Sequence, residues 1–320
     1  MKTVKKNDIG KKKLVAFVKS DISARHKSVQ YNLLDGKKIG ISISDSEDLQ
    51  KLGFSKVHQQ DTMIEFARYM LVHGATLVYG GDLRGDGYTL LFSELAYQYR
   101  SLNDQEKIHF INYSSYPIYN KLSPQQKLEF IKNRVEFKPV TPPKNLKVSE
   151  NEFIPPIGNE NKFIWAESLS KMRREMNKVS DARIFIGGKM SGYSGKYPGL
   201  IEEAVLSLES DIPTYLVGAF GGATRSVIDV LSKAKSIELT QDWQCKNENY
   251  KEFLAYYNSK KNKGKINYEE LESFINSYTL KRLCKNNGLD EDDNKRLFKT
   301  IHIPEMIYLV LKGITNKLKQ

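Results

Sequence analysis

Between Ser180 and Arg225 the chain twice runs from a short apolar stretch through glycines into the opening of a helix. The first copy is Asp181-Ala182-Arg183-Ile184-Phe185-Ile186 followed by Gly187-Gly188. The second is Ile212-Pro213-Thr214-Tyr215-Leu216-Val217-Gly218, then Ala219-Phe220-Gly221-Gly222. Near-continuous apolar runs of this length read as strands buried on both faces, the situation of a parallel sheet covered by helices. Two such turns in succession lie side by side on the carboxyl edge of the sheet, where open α/β sheets bind ligands. Unpaired N–H groups at the helix starts suit a phosphate there. The expected fold class is therefore α/β, a Rossmann-like three-layer arrangement with a mainly parallel sheet.

A third turn of the same kind follows Ala75-Thr76-Leu77-Val78-Tyr79, as Gly80-Gly81-Asp82-Leu83-Arg84. An aspartate just past a strand can accept ribose hydroxyls and an arginine can fork onto phosphate; Asp82 and Arg84 can equally pair with each other. Lys38 to Ser44 is the first clear strand, with apolar residues alternating with small ones. Its hydroxyls, Ser42 and Ser44, reach the same edge. A branched side chain at Gly188 is expected to block a ligand and leave the fold intact, because the backbone there must approach closely. Neither G-x-G-x-x-G nor G-x-x-x-x-G-K-[ST] occurs, so an ordinary dinucleotide fingerprint and a P-loop are not indicated.

Elsewhere, Lys13 to Val18 reads as a short strand or a helix start, and Lys56 to Gly74 as a helix closed by its glycine. A helical period resumes at Thr89. Ile108 to Tyr113 is a strand with Ser114 to Pro117 as its loop, residues 121 to 133 are helical, and the proline-rich 135 to 156 is an excursion or edge segment. A helix from about Ile164 to Val179 leads into the central strand. After it, Lys189 to Lys196 is a polar loop and Pro198-Gly199 opens the next helix, with proline in the first turn. Beyond Leu231 the pattern is mostly helical, with a last short strand at Arg296 to Thr300 and a closing amphipathic helix from Ile303 to Leu318. The domain expectation is a basic arm over 1–36, a ligand-binding α/β domain over 37–235, and a helical region over 236–320 packed on the same domain.

Charge enters through its distribution. The net charge is +12, and residues 1 to 35 carry nine Lys/Arg against three Asp, half of the excess. Such an arm can touch nucleic acid or lipid, but no aromatic residues are interleaved to stack on bases. No apolar run approaches the roughly 20 residues of a membrane span. Two cysteines are too few for a disulfide framework or a zinc cluster. A reducing, cytoplasmic location is expected, with no membrane partner, no metal and no cofactor.

Three segments together, Val78 to Arg84, Ile186 through Glu203, and Gly218 to Ala223, resemble the SLOG superfamily. This Rossmann-like group includes the LONELY GUY enzymes, the DNA-processing protein DprA/Smf and the ligand-sensing domain of TRPM channels. The resemblance runs from about Lys37 to Leu231, and is strongest to the prokaryotic branch that accompanies TIR domains. LONELY GUY enzymes use an arginine and the glutamate of P-G-G-x-G-T-x-x-E to cleave a nucleoside monophosphate at its N-glycosidic bond. Here Arg173 and Arg174 lie on the corresponding helix, and Pro198-Gly199-Leu200-Ile201-Glu202-Glu203 keeps proline, glycine and acid, while the G-T is gone and a loop separates Gly187-Gly188 from it.

The resemblance implies a sensor of a nucleotide or ADP-ribose-type ligand in bacterial defence or stress signalling, acting through a TIR-like effector or self-association. An N-glycosidase acting on a nucleotide or on NAD, and a DprA-like binder of single-stranded DNA, are the alternatives. The expected ligand contacts are Ser42, Ser44, Gly80, Gly81, Asp82, Arg84, Gly187, Gly188, Lys189, Pro198, Gly199, Gly218, Phe220, Gly221 and Gly222. Any catalysis is expected to depend on Glu202 or Glu203 with Arg173, and to be slow, because the residues that position the acid are absent.

Overall fold

The alternation in the first strand decides which helices lie on which side of the sheet. In the computed structural model, which describes residues 32–81, 87–99 and 107–319, β1 (Lys38–Ser44) turns Ile39, Ile41 and Ile43 to one face and Gly40, Ser42 and Ser44 to the other. The isoleucines pack against Met63, Phe66 and Met70 of α1 (Lys56–Val72). On the other face Gly40 lies over the side chain of Arg183, where a Cβ would come within 3.1 Å of the arginine.

The chain continues through β2 (Thr76–Gly80), α2 (Tyr88–Gln98), β3 (Phe110–Ser115), α3 (Pro124–Lys132) and β4 (Glu136–Val140). The long α4 (Gly158–Val179) crosses back to β5 (Ala182–Gly187), followed by α5 (Gly199–Glu209), β6 (Thr214–Val217) and α6 (Gly222–Leu231). All six strands are parallel, in the order β4-β3-β2-β1-β5-β6. One helical layer holds α1 and α2; the other holds α4, α5 and α6.

The remaining helices are α7 (Gln241–Gln244), α8 (Glu248–Ser259), α9 (Tyr268–Ser277), α10 (Leu280–Asn287), α11 (Glu291–Leu297) and α12 (Ile303–Leu318). They cover the sheet's β6 end. Thr214 N donates to Asn286 Oδ1 at 2.9 Å, Asn287 Nδ2 donates to Thr214 O at 3.1 Å, and Tyr215 Oη donates to Asn287 O at 2.8 Å. Side-chain amides thus close the edge strand's open backbone groups, which would otherwise template pairing with another chain. α12 packs against α1, and α8 and α9 join the core under α4, α5 and α6. Among the described residues no helix is long and apolar enough to cross a membrane.

Three local readings change, and others lie outside the described residues. Ser114 and Ser115 are buried strand residues, because β4 pairs alongside as far as Val140. Arg296 to Thr300 is the end of α11 and a turn, its apolar Leu297 and Phe298 serving the core rather than a strand. Pro198 stands at the N-cap of α5 with helical residues starting at Gly199. Lys13 to Val18, Asp82 and Arg84 lie outside the described residues.

Gly188 has a different task from the one expected of it. Its φ is +105°, and a Cβ would come within 2.8 Å of Ala223 Cβ and 2.9 Å of Leu200 Cδ2, so it is where α5 and α6 close on the turn. Gly188→Val combines left-handed backbone strain with overpacking. It should cost on the order of 3 kcal/mol and lower the melting temperature by roughly 10 °C, read by thermal and urea unfolding; a melting temperature unchanged from wild type would show that the turn is loose.

Candidate functional site

The strand order reverses between β1 and β5, and the helices that follow these strands leave a crevice beyond their carboxyl ends. A cavity of about 250 Å³ lies there. Ser42 and Ser44 of β1, Gly80 and Gly81 after β2, Lys189 after β5, and Gly199 and Glu203 of α5 line it, with Arg173 reaching in from α4. Gly81 has φ +99° and no atom within 4 Å of where a Cβ would stand.

Other expected contacts are used elsewhere. A Cβ on Gly187 would come within 2.1 Å of Gln59 Nε2, which donates to Ser44 O at 2.9 Å. Gly221 and Gly222 fold onto the first turn: Gly222 N donates to Asp48 Oδ2 at 2.9 Å and Ala223 N to Gly188 O at 3.0 Å. The first N–H groups of α6 are therefore occupied by the protein itself. Gly218 lies against Phe298 O, and Phe220 packs on Phe54 with ring centroids 5.2 Å apart. The geometry thus gathers Gly80-Gly81 and the α5 residues and leaves the turn at Gly218 to Gly222 outside the cavity.

Glu202 and Glu203 are both buried, at 3% and 7% exposure, yet they differ in what they face. Glu202 is bound by Arg173 and Ser170, with Lys196 at 3.7 Å. Glu203 borders the cavity and is bound by the fully buried Arg183; Ser42 Oγ donates to it at 2.7 Å and Arg173 Nε stands 3.5 Å away. Burial pushes the Glu202 carboxyl up, but Arg173, Lys196 and Ser170 together outweigh it and hold the carboxyl below its ordinary range. Burial pulls the Arg183 guanidinium down, opposed by Glu203.

Three groups in the crevice still have donors to offer. Arg173 Nη2 makes no hydrogen bond with the described residues, and the N–H groups of Gly199 and Leu200 open α5 without an intrahelical acceptor. Lys189 is exposed with no carboxylate partner among the described residues. Trp165, Leu169, Met172, Tyr193 and Leu200 supply apolar wall. Sequence reasoning missed Trp165; one of only two tryptophans, just over two helical turns before Arg173 on the same helix, was the available signal.

A crevice at the switch point of a doubly wound parallel sheet is the mark of a Rossmann-like fold. The chain belongs to the SLOG superfamily: the family model described as SLOG cluster2 matches residues 33–297, and membership suggests a nucleotide-related ligand. Neither a curated protein nor a solved structure matches the chain.

Because the Glu202 carboxyl is held below its ordinary value in the fold, its contribution to stability is complete above that ordinary value and is lost as pH falls through the depressed one. Glu202→Gln removes Arg173's nearer carboxylate, leaving only Glu203 at 3.5 Å, and should cost roughly 3 kcal/mol at pH 7. In urea unfolding across pH, the gap between variant and wild type should narrow below about pH 5. A gap independent of pH would mean that packing, not charge, is what the substitution removes.

Proposed function

We propose that the protein binds a nucleotide in the switch-point crevice and senses it without turnover. The observation that carries this reading is the set of uncommitted donors, Arg173 Nη2, the first N–H groups of α5 and Lys189, facing one cavity with the Trp165 ring in its wall. Phosphate needs donors converging from fixed backbone and cations, and a base needs a flat apolar face. A volume of about 250 Å³ is at the small end for ligand pockets, which suits a mononucleotide-sized group.

The carboxylates favour binding over cleavage. Hydrolysis of an N-glycosidic bond asks a carboxylate to activate water or to stand against a developing cation. Glu203 already accepts from Ser42 and pairs with Arg183 and Arg173, so its oxygens are engaged by the protein rather than free to take hold of a water.

Incubating the protein with AMP, NAD, ADP-ribose and cyclic nucleotides tests both halves. A true ligand at about 100 times its dissociation constant adds about 2.7 kcal/mol of stability, and Lys189→Glu should weaken its binding at least tenfold. Stabilisation by none of these, or undiminished affinity in Lys189→Glu, would remove the crevice as the site. Release of base from AMP or of nicotinamide from NAD should be absent in wild type and in Glu203→Gln alike. Multiple turnover by wild type, lost in a Glu203→Gln variant that still binds, would replace the sensor with an N-glycosidase.

A further inference from the structure

The switch-point crevice has a larger neighbour. A second cavity of about 570 Å³ lies between the loop after β5 and the helical region that follows the sheet. Its floor is Ser191 to Gly195, and its opposite wall is Trp243, Tyr250 and Phe253 from α7 and α8. Tyr193 and Ser194 line both cavities, so the two spaces adjoin across one loop.

Its chemistry is specific. The aromatic rings of Tyr193, Trp243, Tyr250 and Phe253 offer flat apolar area. Lys162 and Lys246 are its only charged lining residues, and neither forms an ion pair with the described residues. The backbone N–H groups from Ser191 to Gly195 find no acceptor among the described residues either, which leaves successive donors along a Ser-Gly-Tyr-Ser-Gly turn. Around these features the site is held rigidly. Tyr193 Oη donates to Gln244 Oε1 at 2.8 Å, Gln244 Nε2 donates to Met190 O at 3.0 Å, and Tyr250 Oη donates to Lys196 O at 2.6 Å. The polar groups that fasten loop to helices are thus satisfied, while Lys162, Lys246 and the Ser191 to Gly195 N–H groups have no partner among the described residues.

We infer that this second cavity is a binding site for a planar aromatic ring carrying a phosphate. It is separate from the switch-point crevice and in contact with it through Tyr193 and Ser194. The volume falls within the range of small-molecule sites, aromatic walls take the ring, and the two lysines with the loop N–H groups take the anion. The ring and phosphate belong either to a second mononucleotide or to the far half of a ligand whose near half fills the crevice. The latter source alone rests on the nucleotide reading of the crevice.

The chain's own tryptophans separate the sites, because it has two and one lines each cavity. In Trp165→Phe the remaining Trp243 reports the second cavity; in Trp243→Phe the remaining Trp165 reports the crevice. Titrating AMP or NAD into Trp165→Phe should change Trp243 fluorescence saturably. Adding Lys162→Glu and Lys246→Glu should weaken that response at least tenfold while leaving the midpoint for AMP read at Trp165, in a Trp243→Phe background, within about threefold. Should either single-tryptophan variant fail to fold, wild type labelled with 5-fluorotryptophan gives two fluorine resonances that serve the same purpose.

A Trp243 signal blind to both probes, or one that survives the double charge reversal, overturns the second site whatever Trp165 does. A Trp243 response with a silent Trp165 keeps the second site and removes the nucleotide reading of the crevice. If NAD moves both reporters with one midpoint and AMP moves each with its own, the far half of a single ligand is the source. Separate midpoints for both probes identify a second mononucleotide.

Discussion

Arg183 stands on a central strand with its guanidinium fully buried, and three other elements are arranged around it. Its Nη2 donates to Ser42 Oγ on β1 at 2.5 Å and pairs with Glu203 on α5; its Nη1 donates to Asn177 Oδ1 on α4 at 2.6 Å. An unpaired charge at this depth would cost several kcal/mol, so the surrounding acceptors are a condition of folding rather than an ornament of it. Gly40 is part of the same requirement, since only a residue without a side chain leaves room for the arginine beneath β1. The ring of partners joins β1, β5, α4 and α5, the four elements that bound the switch-point crevice.

That constraint shapes the chemistry next to it. Glu203 is held at the crevice wall because Arg183 needs a counter-charge, and Glu202, one residue earlier and about 100° around the helix, is turned to Arg173 instead. Two adjacent acids thereby neutralise two arginines from different elements. What remains directed at the cavity is donor capacity, from Arg173 Nη2, the opening of α5 and Lys189. A crevice with surplus donors and spent carboxylates is suited to hold an anion, and poorly suited to activate water against it.

The helical region beyond the sheet is fastened both to the sheet's edge and to the loop beside the crevice. Its amides close the edge of β6, and its tyrosines fix the loop that forms one wall of the crevice. The hydroxyls of Tyr193 and Tyr250 stand 2.9 Å and 2.7 Å from that of Tyr268, whose one proton can be donated to either, so the loop is tied to α8 and α9.

The parallel sheet, the helix that leads into its centre and the closing helix at Ile303–Leu318 were legible in the residues, because buried strands and amphipathic helices carry their own periodicity. Gly80-Gly81 and Lys189, which follow strand ends, line the crevice, as do Arg173 and Glu203 from the flanking helices, two positions that the family resemblance rather than strand periodicity singled out. A glycine pair, however, marks only a place where backbone must come close, and its code is the same whether a ligand or another turn approaches. Gly187, Gly188, Gly221 and Gly222 are occupied by Gln59, Leu200, Ala223 and Asp48, partners that lie as far as 174 residues away in the chain. The division of Glu202 and Glu203 between two arginines, and the placing of Trp243 against the loop after β5, likewise depend on contacts between distant segments. Local sequence determined where this chain turns; only the packing of remote elements decided what each turn touches.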